Sequence, residues 1–78
     1  MSRKPVPTKK FIKFLKKMGL EYKRTKGSHE VWDKKDGSLL RPVVFRPQYK
    51  DIPPFHIETN LETLGISYKE FEKIMESL

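Results

Sequence analysis

The sequence predicts an α+β domain in which a three-stranded antiparallel sheet carries helices on one face, in the order α-β-β-β-α-α. Three observations predict it. Phe11, Phe14, Leu15 and Met18 recur at i, i+3, i+4 and i+7, the spacing of one helix face. Residues 21–45 hold short segments with Tyr, Thr, Val and Trp, separated by Gly27 and Gly37, as in a run of hairpin-connected strands. After Pro53-Pro54 the helical spacing returns twice, in Ile57, Leu61 and Leu64 and then in Phe71, Ile74, Met75 and Leu78.

Residues 1–7 contain Pro5, Pro7 and little apolar material, so they read as a loose, flexible N-terminal arm ahead of a single domain over residues 8–78. Thr8 is the expected N-cap of a first helix over residues 9–18, with Ile12 widening its apolar stripe. Gly19 is the expected left-handed residue past the helix end, and Leu20 the apolar residue that packs back on the last turn. Lys9, Lys10, Lys13, Lys16 and Lys17 occupy the other side of this helix. Two strands follow, over residues 21–26 and 28–33, with a turn or bulge at Gly27. Lys34-Lys35-Asp36-Gly37 reads as a hairpin turn leading to a third strand over residues 39–45. Pro42 cannot donate to a ladder, so that strand needs a free edge or a bulge there. Residues 46–51 read as a polar loop. Pro53-Pro54 presets the first turn of the second helix, which Gly65 and Ile66 end. Ser67-Tyr68-Lys69-Glu70 is a capping box that opens the last short helix.

A chain of 78 residues buries only about 60–65% of the surface its unfolded form exposes, enough for one modest core and too little for a large cofactor enzyme. With no cysteine there is no disulfide framework, thiol nucleophile or cysteine-type zinc site, and two histidines alone do not complete a structural metal site, so neither metal nor cofactor is expected. The apolar runs are only a few residues long, which argues against a spanning helix or a secretory signal and for a soluble, cytoplasmic chain without a membrane partner. Charge is laid out unevenly. Residues 1–50 hold 15 of the 17 Lys and Arg but only 4 of the 10 Asp and Glu, and the formal net charge is +7. Such an asymmetry suits a basic face meant for a polyanion, although a solvated, solubilising surface has the same composition. An αβββα order with a basic first half resembles the double-stranded-RNA-binding fold, which reads A-form RNA through shape and phosphate contacts.

The segment from Lys23 through Arg24, Lys26, Gly27 and Ser28 to His29 concentrates cations, a glycine and an imidazole. Histidine titrates near neutrality, so His29 is the candidate to take a proton from a ribose 2′-OH or to return one to a leaving 5′-oxygen. Lys23, Arg24 and Lys26 are candidates to hold phosphate, and Ser28 to donate a positioning hydrogen bond. Lys10, Lys13 and Lys17 on the first helix extend the candidate RNA-binding set. The plainer reading of His29 is a half-exposed strand residue on the same side as Val31. His56, in the first turn of the second helix, reads as a packed or exposed neutral histidine. Trp32 reads as core or sheet surface, with base stacking as the alternative. Two rivals to an enzyme stand beside it: a non-catalytic RNA- or DNA-binding module, and a protein-interaction domain whose basic face docks an acidic partner.

The chain resembles the HicA-like toxins of bacterial and archaeal toxin–antitoxin pairs. The resemblance rests on Ile12-Lys13-Phe14-Leu15-Lys16-Lys17-Met18-Gly19-Leu20-Glu21, on Arg24-Thr25-Lys26-Gly27-Ser28-His29, on Lys50-Asp51-Ile52-Pro53-Pro54, and on Leu64-Gly65-Ile66-Ser67 before a short helix. It implies a double-stranded-RNA-binding-like fold and metal-independent cleavage of mRNA with His29 as the catalytic residue. It also implies a HicB-like antitoxin that covers the active surface. Two stretches depart from the family pattern. Many members carry a histidine just after the third strand, where this chain reads Phe45-Arg46-Pro47-Gln48-Tyr49, and many carry glycine-threonine-leucine after the two prolines, where it reads Phe55-His56-Ile57.

Overall fold

The first apolar stripe forms helix α1, Thr8–Lys17, in the computed structural model of the chain, which describes residues 4–39, 41–48 and 50–78. Residues 1–3 of the expected arm, Leu40 of the expected third strand and Tyr49 of the expected loop lie outside the described residues. Phe11, Phe14 and Leu15 are fully buried, while all five lysines of the helix are exposed. Gly19 takes a φ of +87° just past the helix, and its N–H reaches the Lys16 carbonyl at 3.0 Å. An L-residue is strained in that region, so the glycine is what lets the chain reverse into Leu20 at the start of the sheet.

The sheet is a meander of β2 (Leu20–Lys26), β3 (His29–Lys34) and β4 (Val43–Phe45), paired antiparallel in that order. It is the three-stranded antiparallel sheet that the sequence predicts, within the predicted α+β class. The β2–β3 turn is Gly27-Ser28, with Lys26 paired to His29 and a positive φ at Gly27 alone, the pattern of a type II′ hairpin. Asp36-Gly37 turns the chain after β3: the Gly37 N–H meets the Lys34 carbonyl at 2.9 Å, and the Asp36 carboxylate accepts from the Ser38 N–H at 3.0 Å. The Ser38 hydroxyl first, and this N–H second, hold the Asp36 carboxyl below its ordinary value of 3.8 by hydrogen-bonding its charged form.

Leu20, Trp32, Val43 and Phe45 are buried members of the covered sheet face, and α1 packs on it through Phe11, whose ring meets Phe45 edge-on at 5.5 Å. Phe14 in turn meets Phe71 edge-on at 4.8 Å, joining α1 to helix α3, Tyr68–Glu76. Each such buried aromatic contributes about 1.5–3 kcal/mol through the area it removes from water. Helix α2, Pro54–Leu64, buries Ile57 and Leu61 in the same core and closes the free edge of β4, where the buried Asn60 amide donates to the Val44 carbonyl at 3.3 Å. That bond occupies a group which would otherwise invite edge pairing. Gly65 and Ile66 end α2 as expected: their N–H groups bond back to Glu62 and Leu61, the paired bonds of a Schellman motif. Ser67 caps α3 by accepting from the Glu70 N–H at 3.1 Å.

The structure departs from the sequence reading in several places. Val6–Pro7 forms β1, paired antiparallel with β5, Asp51–Ile52, and Val6 and Ile52 are buried. The last two residues of the expected loose arm are therefore paired, as is the end of the expected polar loop. Thr8 is the first helical residue rather than the N-cap. Its N–H is taken by the Lys50 carbonyl at 2.9 Å, so the β5 segment does what a side-chain cap would do. The third strand is only Val43–Phe45, because Pro42 lacks the N–H a longer ladder needs. Leu78 lies past α3 and is exposed, so the last helix's apolar stripe ends at Met75.

Candidate functional site

Alternation along β3 sends Glu30, Trp32 and Lys34 to one face of the sheet and His29, Val31 and Asp33 to the other. The first set shares its face with the core; the second lies on the face the helices leave open. Cross-strand register then assigns neighbours on that open face. Lys26 pairs with His29, Arg24 and Val44 flank Val31, and Glu21 pairs with Asp33. The open face thus runs from a basic end at the Gly27-Ser28 turn, through a central row of Arg24, Val31 and Val44, to an acidic end at Glu21 and Asp33.

Arg24 belongs to this face only because β2 carries a bulge. Register steps from Tyr22↔Trp32 to Arg24↔Val31, leaving Lys23 as the extra residue. An inserted residue rephases every side chain beyond it, so Arg24 and Lys26 come onto the same face as His29. Lys23 is drawn away. Its ammonium bonds the Glu21 carboxylate at 3.0 Å and the Lys35 carbonyl at 3.4 Å, toward the end of the hairpin remote from His29. Of the candidate residues, the structure therefore gathers Arg24, Lys26, Ser28 and His29 around the turn and leaves Lys23 outside the group.

The structure does not bring Lys10, Lys13 and Lys17 to the same place. At 100° per residue they lie on the side of α1 opposite Phe11, Phe14 and Leu15, and that buried stripe is what faces the sheet. They form a separate basic surface on the outside of the helical layer. His56 is exposed on the first turn of α2, with its ring 6.2 Å from that of the exposed Phe55. Trp32 is buried, and its indole N–H donates to the Glu30 carboxylate at 3.0 Å.

His29 is half-buried and faces a partner that the sequence reading did not assign to the site. The Nε–H of Arg46 donates to His29 Nε2 at 3.2 Å. The Glu30↔Phe45 pairing sets residue 46 opposite residue 29, so Lys26, His29 and Arg46 form one row across the ends of three strands. The signal in the sequence was the alternation of the third strand: with Val43 and Phe45 inward, Val44 and Arg46 must point the other way. Reading residue 46 as the first of a loop concealed it. Among the described residues no cluster of three or more His, Cys, Asp or Glu gathers to hold a metal ion. No helix among them is long and apolar enough to cross a membrane. A groove lies between residues 4–7 and the α2 and α3 helices, and none of Arg24, Lys26, His29 and Arg46 lines it.

Comparison with curated proteins and with solved structures finds no match. The family model described as the HicA toxin of bacterial toxin–antitoxin systems matches residues 8–66, a span that runs from the first residue of α1 past the end of α2 and includes the whole open face. The chain with this sheet and this basic row belongs to the HicA toxin family.

Proposed function

We propose that the protein is the toxin of a toxin–antitoxin pair and acts as a metal-independent endoribonuclease on mRNA in the cytoplasm. His29 serves as general base or acid in the attack of a ribose 2′-OH on the adjacent phosphorus. The 2′-oxygen forms a bond to phosphorus while the bond to the 5′-oxygen breaks, leaving a 2′,3′-cyclic phosphate. The proton taken from the 2′-OH passes to the base, and the departing 5′-oxygen receives one. Lys26 and Arg24 hold the phosphate and the charge that builds on it, and Ser28 positions it from the turn. Lys10, Lys13 and Lys17 engage phosphates elsewhere on the RNA. A HicB-like antitoxin would silence the toxin by covering the open face.

The observation that carries this reading is the pairing of His29 with Lys26 beside a two-residue turn on the uncovered side of the sheet. An imidazole with a cation in register and no helix over it can meet a phosphodiester. One buried beneath α1 could not. The test is cleavage of a long single-stranded RNA by purified protein in EDTA, beside His29→Ala prepared identically. Cleavage by the wild type, lost in a folded variant that still binds RNA, is the expected result. Binding without cleavage by both proteins would replace the enzyme with a non-catalytic RNA-binding module.

A further inference from the structure

Arg46 has no role in the chemistry just described, yet its guanidinium hydrogen-bonds the ring of His29. A guanidinium can only donate, so His29 Nε2 must be the acceptor and the ring proton must sit on Nδ1. That leaves the imidazole without a free lone pair, and the Nδ1 proton of a neutral ring is a poor acid. In this arrangement His29 can act neither as base nor as acid. Arg46 is exposed and directly follows the buried Phe45 at the end of β4, so its guanidinium stands where solvent and a phosphate can reach it.

We propose that Arg46 is a phosphate-binding residue that latches His29 in the free protein and releases it when RNA arrives. This rests on His29 being the acid–base group. A phosphate entering the row beside Lys26 offers the guanidinium two anionic oxygens in place of one neutral nitrogen. Two parallel bonds between opposite charges replace one bond from the cation to a neutral ring, so the guanidinium moves to the phosphate. Nε2 is then free to take the 2′-OH proton, and the resulting imidazolium is a competent acid. The phosphate that Arg46 holds is the one under attack, which makes Arg46 a catalytic residue in its own right.

The experiment follows the His29 ring nitrogens and the Arg46 Nε–H by nitrogen-15 NMR while inorganic phosphate, and separately a 2′-deoxy oligonucleotide that cannot be cleaved, is added. The free wild type is expected to show Nδ1 protonated and Nε2 accepting, and both probes are expected to shift Nε2 and the Arg46 Nε–H together. Arg46→Gln is expected to lose the fixed tautomer without phosphate and to lower kcat/KM on RNA by about ten- to a hundred-fold, the usual cost of a lost bond to a charged group. Arg46→Lys should recover part of KM and little of kcat, because an ammonium is a point charge without the fork. Ring signals that ignore both probes, or Arg46→Gln cleaving as well as wild type, would overturn the latch while leaving the ribonuclease reading intact. A wild type that cleaves nothing but moves Arg46 onto phosphate would overturn the ribonuclease reading and leave Arg46 as a phosphate ligand.

Discussion

Two surfaces of this protein are strongly basic, and they differ in what their charge can do. On α1, Lys9, Lys10, Lys13, Lys16 and Lys17 stand on a solvated helix face with flexible stems. At the hairpin end of the open sheet face, fewer cations are set by register beside an imidazole, with a packed core behind them. The first surface can attract a polyanion from any direction. The second can orient one phosphate against one ring. Net charge in the sequence counts both alike, and it is the sheet register that sets one group of cations beside an imidazole and leaves the other on a solvated helix face.

If that contrast holds, the largest effect belongs to the hairpin end. His29→Ala should lower the single-turnover cleavage rate by about 10²–10⁴-fold, with circular dichroism and RNA affinity nearly unchanged. The reciprocal variant, with Lys10, Lys13 and Lys17 all changed to Gln, should cleave at the wild-type rate once RNA is saturating. Its affinity should depend less on salt, with the log–log slope reduced by up to about two on single-stranded RNA. A large loss of saturated rate in this variant would mean that the two surfaces act as one and would break the comparison.

Asn60→Ala sharpens it from the side of stability. Removing the amide leaves the Val44 carbonyl unpaired on the strand that carries Arg46, at a cost of about 1–3 kcal/mol in urea unfolding. The saturated rate of the folded fraction should fall only if the edge of β4 frays. The smallest effect is at the opposite end of the sheet. Because the Asp36 carboxyl is held below 3.8 in the folded chain, its contribution is complete above the unfolded value and is lost as pH falls through the folded one. Asp36→Asn should therefore flatten the fall in melting temperature below about pH 4 by slightly lowering the melting temperature at neutral pH, and leave cleavage unchanged.

Much of the fold was legible because its signals are local. The stripe of Phe11, Phe14 and Leu15, the Gly65-Ile66 helix end and the Ser67 cap each depend on residues within a turn or two, and the structure contains all three. What was missed is non-local. β1 exists only because Val6 meets Ile52, more than forty positions away, and that meeting also displaces Thr8 from the cap. The candidate site divides the same way. Lys26, Ser28 and His29 were legible because two residues of turn separate the strands that bear Lys26 and His29. Lys23 was misplaced because a bulge leaves no mark in period-two spacing. Arg46 was missed because its neighbour is seventeen positions away across a strand pairing.

By itself the sequence determined the class of the fold, its helices, its turns and the presence of one imidazole among cations, since helix stripes, caps and glycine turns are short-range properties of the chain. Only the tertiary structure decided which cations share a face with that imidazole. Pairing register and the bulge at Lys23 set the phase of each strand, and a shift of one residue would have turned Arg24 and Lys26 toward the core and set Thr25 in place of Lys26 beside His29.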